Sequence, residues 1–217
     1  GIFSHFANAD EADVSRTHLQ LERFLEVCHF FSQRSVPTPL RHMANSAALL
    51  RVPESHLDMV RPGLLLYGVT PDPTRPAPIT VRPALCWKSR VVYFKVVLPG
   101  NPVSYGGHWA PTQATRVVTL PVGYGDGYPR RMSGQAQVIL GDRRYPVVGS
   151  ICMDQVMVDI QQDSAYNGDE VILLGGQGAN ALTVHDLAQW AGTLPYEILT
   201  GINTRVPRTY IDESDSL

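Results

Sequence analysis

The sequence predicts an α/β segment followed by an all-β domain, that is, an incomplete (β/α) barrel portion leading into a C-terminal β-barrel-like domain. Three observations carry this reading. Residues 1 to about 70 alternate short apolar runs with a helix-period segment, five prolines then crowd residues 71–83, and the runs beyond them are rich in β-branched residues. Few apolar residues and no helix can occupy the proline stretch, so the boundary is placed there, with residues 1–75 as the barrel portion and 76–217 as the β domain.

Each element follows from a local pattern. Ile2 to Phe6 reads as a strand entered without a preceding linker, as in a fragment. From Asp10 to about Gln33 the period is helical, because Leu21, Phe24, Leu25 and Cys28 recur at i, i+3, i+4 and i+7. Leu40 to Ala44 is a second short run, leading through Asn45-Ser46 into a small-residue helix that ends before Pro53. Met59 to Tyr67 is nearly all apolar, as suits a strand buried on both faces of a parallel sheet. In the second segment, strands are predicted over Trp87–Leu98, Thr115–Pro121, Ala136–Leu140, Tyr145–Val148, Gln155–Ile160 and Glu170–Leu174, with hairpin turns at Gly141-Asp142 and Asn167-Gly168. One helix interrupts them, opened by Thr183 with Asp186 three residues on and running to about Ala191.

Composition narrows the function classes. A formal charge of −2 gives no general pull toward nucleic acid or an anionic membrane, so any anion site must be local. Cys28, Cys86 and Cys152, three in number and far apart, fit reduced thiols better than a disulfide framework and give no zinc spacing. No stretch approaches the roughly 20 apolar residues that cross a bilayer, and cytoplasmic residence is expected.

Several residues invite a chemical reading beside a plainer one. In Asn101-Pro102-Val103-Ser104-Tyr105-Gly106-Gly107 the glycines leave backbone open beside a phenol, although taken singly this is a surface turn. A tyrosine that moves protons near neutrality needs its pKa of about 10 lowered by positive charge. Arg61 lies at an expected strand end, where barrel enzymes hold their sites, and is otherwise an edge cation. Ser46 with nearby N–H groups suits a phosphate, or else a helix cap, and His42 is a candidate beside it, or else a core histidine. The glycine-rich stretch Gly123 to Arg131 reads as a flexible loop carrying tyrosines and two arginines; it lacks a dinucleotide or Walker pattern.

Taken in order, these segments resemble the alanine racemase family. The resemblance rests on His5-Phe6-Ala7, Ala44-Asn45-Ser46, Arg61-Pro62-Gly63, Val103-Ser104-Tyr105-Gly106, Gly123-Tyr124-Gly125-Asp126-Gly127, Cys152-Met153-Asp154 and Arg205-Val206-Pro207-Arg208. It implies a pyridoxal phosphate enzyme with a TIM-type barrel and a C-terminal β domain, interconverting L- and D-alanine by a two-base mechanism on the cofactor aldimine, and working as a head-to-tail homodimer. By that resemblance Tyr105 is the base reaching into the partner's barrel. Arg61 faces the pyridine nitrogen, His42 supports Arg61, and His5 lines the ring. Ser46 with the N–H groups of Gly63 and Leu64 binds the phosphate. Met153 offers its N–H to the substrate carboxylate, while Tyr124, Asp10, Arg130 and Ile202 line the approach.

The same resemblance implies a Schiff-base lysine near the start of the barrel. The only lysines are Lys88 and Lys95, seven residues apart on an expected strand, and neither suits that role. The chain is therefore expected to be a truncated racemase, inactive alone. Two positions depart from the family pattern: Thr204 stands where many relatives carry a phosphate-binding tyrosine, and Ser150 stands where arginine is frequent. The competing reading is a non-catalytic β module that mediates self-association, and a basic amino acid decarboxylase of like layout is a further one.

Overall fold

A helix begins where its backbone finds no better partner, and the first one starts later than its apolar period. In the computed structural model, which describes residues 1–211, Asp13 Oδ1 accepts hydrogen bonds from the N–H and hydroxyl of Ser15 at 2.9 and 2.6 Å. That local turn holds Asp10–Asp13 out of the helix. The chain packs as two units, Gly1–Ala84 and a second beginning at Leu85, with the proline-rich stretch inside the first.

In the first unit, β1 (Ile2–Phe3) is followed by α1 (Ser15–Gln33), β2 (Arg41–His42), α2 (Ser46–Arg51) and α3 (Gly63–Leu66). β1 and β2 pair in parallel, and a parallel bridge from His42 to Met59 extends the same ladder. α1 buries Thr17, Leu21, Phe24 and Cys28, and this face joins Phe6, Met43, Ala44, Ala47 and Ala48 in one core cluster. Asn45, not Ser46, caps α2, accepting from the Ala48 N–H at 3.0 Å.

The apolar run 59–67 is not a strand. Only Met59 pairs; Pro62 then turns the chain, and Gly63–Leu66 closes a helical turn. Pro62, at φ −81° and ψ 56°, forms an inverse γ-turn in which the Gly63 N–H donates to Arg61 O at 2.9 Å. The initial strand is also shorter than Ile2–Phe6, because only Ile2 and Phe3 find partners on β2.

The second unit is built on β3 (Trp87–Arg90), β4 (Tyr93–Val97), β5 (Thr115–Leu120), β6 (Gln137–Leu140), β7 (Arg143–Val148), β8 (Val156–Gln161) and β9 (Glu170–Leu174), followed by α4 (Val184–Ala191) and α5 (Pro195–Gly201). These form one antiparallel seven-stranded sheet in the order β3-β9-β6-β7-β8-β5-β4. Trp87–Leu98 is thus two strands, parted at Val91-Val92, whose halves pair with opposite ends of the sheet. From Arg90 to Tyr93 the chain spans at most about 10 Å, whereas the outer strands of seven lying flat would stand about 29 Å apart. The sheet must therefore curl enough to bring its two edges close at that corner, which is how sequence continuity yields the half-closed barrel.

The expected turn at Gly141-Asp142 joins β6 to β7 with Leu140 opposite Arg143. Gly141 has φ +63°, the positive value that the first position of a type II′ turn requires. Asn167-Gly168 is a turn but not a hairpin, since the β6–β7 pair lies between β8 and β9. Thr183 caps α4 as expected, with Asp186 returning the bond to the Thr183 N–H at 2.7 Å. α5, which begins with Pro195 in its first turn, was not expected.

Candidate functional site

In the first unit the ends of β1 and β2 and the segment two residues beyond the Met59 bridge bring Ser4, His42 and Arg61 together. One terminal nitrogen of Arg61, Nη1, lies 2.6 Å from His42 Nδ1. A guanidinium offers no acceptor, so His42 must accept at Nδ1 and carry its hydrogen on Nε2. The other, Nη2, donates to Ser4 O at 2.9 Å and Met43 O at 3.3 Å, and lies 3.4 Å from His5 Nδ1. Phe3 stacks on His42 with centroids 5.3 Å apart and lies 5.6 Å from the Arg61 guanidinium carbon. The arginine is thereby fixed in orientation by backbone and ring contacts, with no carboxylate among them.

Beside it, Ser46 is buried, and its hydroxyl oxygen accepts from the Leu65 N–H at 3.2 Å, leaving the hydroxyl hydrogen to donate elsewhere. The Leu64 N–H belongs to the first turn of α3, where intrahelical acceptors are lacking. A side chain at Gly63 would meet no atom within 4 Å, so the space beside this turn is open. A fixed cation that cannot act as an acid, a free hydroxyl hydrogen and a first-turn N–H are a donor set that fits the ring and phosphate of pyridoxal phosphate. The Gly63 N–H, already held by Arg61 O, fits less directly.

In the second unit Tyr105 stands at the tip of a short loop and is 73% exposed. Its stem is closed by the Val103 N–H donating to Trp109 O at 2.9 Å, and Val103 is buried against Val97, Val117 and Val148. Facing the loop, residues 149–152 leave the end of β7. The Ser104 hydroxyl donates to Ser150 O at 2.7 Å, and the Ser150 hydroxyl donates to Tyr105 O at 2.9 Å.

The glycine-rich loop is a closed turn, not a flexible one. Asp126 accepts from the Gly123 N–H at 2.9 Å, Tyr124 N donates to Cys152 O at 3.0 Å, and Gly125 N donates to Met153 O at 2.9 Å. A side chain at Gly123 would come within 2.1 Å of Cys152 O, so only glycine permits this approach. Arg205 then joins both segments, with Nη2 2.6 Å from Asp154 Oδ1 and Nε 3.3 Å from Asp126 Oδ1. Asp154 is accordingly an ion-pair member. Tyr124 and Met153 are half-exposed on this scaffold, and Ile202 is buried. Arg208 donates to Ile202 O and Asn203 O at 2.9 and 3.0 Å, and Thr204 bonds Asn203 Oδ1 at 3.2 Å. Asp10, in the first unit, and Arg130 are exposed.

Sequence reasoning did not find the Arg205 contacts or the pairing of Ser104 with Ser150, since each joins residues from separate motifs. The lysines are placed plainly. Lys88 Nζ lies 2.8 Å from Glu170 Oε1, and this bond raises its pKa; Lys95 lies on edge strand β4 opposite Val117. Among the described residues no cluster of His, Cys, Asp and Glu is arranged to hold a metal ion.

The fold and these clusters define a barrel-segment-plus-β-domain protein with an arginine–histidine pair in one unit and a mounted tyrosine in the other. Residues 1–71 match the family of the alanine racemase N-terminal domain and residues 84–210 that of the alanine racemase C-terminal domain. The chain is 43% identical over 211 residues to an alanine racemase of Halothermothrix orenii, covering 97% of this chain and 56% of that protein. It is 45% identical over 213 residues to one of Carboxydothermus hydrogenoformans, covering 97% and 58%. The chain thus spans little more than half the length of these curated relatives. Crystal structures of alanine racemase from Streptomyces lavendulae and Bacillus anthracis superpose with TM-scores of 0.91 and 0.92 at 40% and 35% identity, covering 98% of this chain and 56% and 55% of theirs. The chain belongs to the alanine racemase family, as its motif series had indicated.

Proposed function

We propose that this chain forms part of a pyridoxal phosphate-dependent alanine racemase that interconverts L- and D-alanine with two bases, and that it supplies one of them, the Tyr105 hydroxyl. The single observation behind this is that Tyr105 is mostly exposed, on a loop whose backbone is pinned at both stem and tip. A fixed mount with an outward phenol suits delivery of a proton acceptor to a carbon acid bound elsewhere, in a partner copy of a homodimer. The relatives' names and the Bacillus anthracis structure, described with bound L-Ala-P, support alanine as substrate.

Pyridoxal phosphate, when bound, withdraws electron density from the substrate α-carbon and acidifies its hydrogen. Arg61 would hold the pyridine nitrogen by a donated hydrogen bond. A guanidinium does not release its proton, so Arg61 would bond the ring nitrogen without protonating it and would restrain side reactions. His42 and the Ser4 carbonyl fix the guanidinium, and His5 lies against it. Ser46, with the N–H groups of Leu64 and Gly63, would bind the phosphate. Met153 would donate its N–H to the substrate carboxylate, and Tyr124, Arg130 and Ile202 would shape the approach. Tyr105 would take the α-hydrogen on one face and return it in the reverse direction. The opposing base and cofactor attachment fall to a lysine outside these residues, because Lys88 is held charged by Glu170 and Lys95 lies on an edge strand. On this reading the 217-residue chain alone does not racemise.

The test is Tyr105→Phe in the full-length protein, with α-proton exchange followed in deuterated water. Loss of about 10²- to 10⁴-fold in racemisation is expected. Wild-type racemisation in that variant would leave only the self-association role for this domain. Mixing the variant with a lysine-deficient partner should regain exchange in a mixed dimer.

A further inference from the structure

Ser104 adopts φ +70° and ψ 176°, a combination that essentially only glycine visits. The glycines of the same loop, Gly106 and Gly107, take positive φ without steric penalty, so the residue before Tyr105 is the one place where strain is retained. Glycine there would relieve it. What serine adds is a hydroxyl, and that hydroxyl donates to Ser150 O at 2.7 Å, while Cys152 Sγ lies 3.5 Å from the Ser104 hydroxyl oxygen.

The facing segment is shaped to receive it. Gly149 has φ +69°, and a side chain there would come within 2.7 Å of both Ser104 Cβ and Val103 O. Glycine therefore lets the two segments close to hydrogen-bonding distance. Ser150, only 7% exposed, then returns a bond from its hydroxyl to Tyr105 O at 2.9 Å. Shielding from water keeps such bonds from being exchanged for solvent. The stem is closed separately by Val103 and Trp109, and Ile151 N is held by the Ser133 hydroxyl at 3.0 Å, so the two serines govern the tip alone.

We propose that Ser104 and Ser150 are positioning residues, a reciprocal latch across a strained turn that fixes where the Tyr105 hydroxyl is presented. The inference rests on the reading of Tyr105 as a base. It gives Ser150 a role in aiming the phenol.

The test uses Ser150→Ala, Ser150→Thr, Ser104→Gly and Tyr105→Phe in the full-length, cofactor-loaded protein and its cofactor-free form. Amide hydrogen exchange of residues 103–109 is measured together with steady-state rates and the α-deuterium isotope effect in both directions of racemisation. Ser150→Ala is expected to speed exchange at Tyr105–Gly107 by about tenfold while β5 and β8 stay protected. Its kcat should fall about 10- to 100-fold with KM little changed, the isotope effect should rise in one direction only, and Ser150→Thr should restore both. Ser104→Gly should show the same tip exchange and kcat loss without a lowered Tm. Unchanged tip exchange and kcat in Ser150→Ala and Ser104→Gly would overturn the latch, as would kcat losses that merely track a fall in Tm with the isotope effect unchanged in both directions. If Tyr105→Phe racemises normally, the reading of Tyr105 as base fails instead, and the exchange data of the cofactor-free form still decide whether the latch holds the tip.

Discussion

Asp126 and Arg205 meet at 3.3 Å, and through that contact the C-terminal segment is tied to the glycine-rich turn that carries Tyr124. Asp126 is nearly buried and already accepts the Gly123 N–H, whereas the Arg205 side chain is half-exposed and also reaches Asp154. Removing the acid therefore strips a buried donor of its partner, while removing the arginine frees a charge that water can partly solvate.

The two substitutions should then differ in size. Asp126→Ala is expected to cost about 2 to 3 kcal/mol of stability, and Arg205→Ala about 1 kcal/mol after allowing for solvent screening. Urea unfolding monitored by tryptophan fluorescence checks this, with a lower midpoint and an unchanged slope. Equal losses would show that the ion pair, and not the turn bond, carries the contribution.

The Arg41–Asp58 pair makes a pH prediction. The Arg41 side chain, at 2.9 Å to both carboxylate oxygens, and then the Arg41 N–H hold the Asp58 carboxyl down at about 2, below its ordinary 3.8. A depressed folded-state pKa means that the unfolded chain binds the proton first as pH falls. The stabilisation is fully present above about pH 4 and is lost between there and about pH 2. Asp58→Asn should thus be less stable than the wild type at pH 6, with the gap closing through that window; the pair is solvent-accessible and the gap modest. A difference that persists at pH 2 would assign it to packing.

Local signals were legible in the sequence, and long-range ones were not. Glu170–Leu174 and the Thr183–Asp186 capping box appeared where expected because their information lies within a few residues. Met59–Tyr67 failed because a short apolar run has the same composition in a buried strand and in a helical turn, and the deciding event is the turn at Pro62. α5 escaped because seven residues burying Ile198 alone carry too little period to read. For the candidate site, the family motifs pointed to Tyr105, Arg61 and Ser46 residue by residue. The strained φ of Ser104 was invisible, since it sits on a residue type that gives no sign of it.

His42 offers a test of how Arg61 is held. Its Nδ1 is the nearest acceptor to the guanidinium, and His42→Phe would keep the stacking on Phe3 while deleting that acceptor. A hydrogen bond to a charged group contributes about 1.5 to 3 kcal/mol, so pyridoxal phosphate affinity of the full-length apoprotein should fall about 10- to 100-fold in an absorbance titration. Unchanged affinity would mean that the Ser4 and Met43 carbonyls suffice to orient Arg61.

Tyr128 gives the opposite kind of prediction, a substitution that should stabilise. Its ring is fully buried and meets Trp87 edge-on at 5.8 Å, yet its hydroxyl has no hydrogen-bond partner among the described residues. Burial alone drives its pKa upward, as desolvation of a phenolate must. Tyr128→Phe keeps the ring and its contact with Trp87 while removing the unpaired oxygen, so stability should rise by about 1 to 2 kcal/mol. The gain should not vary with pH between 5 and 9, because the hydroxyl stays neutral throughout that range. Thermal unfolding of the two proteins decides it: a fall in Tm on losing the hydroxyl would show that the oxygen has a partner, such as a buried water, that contributes to holding β3 against the turn after Gly127.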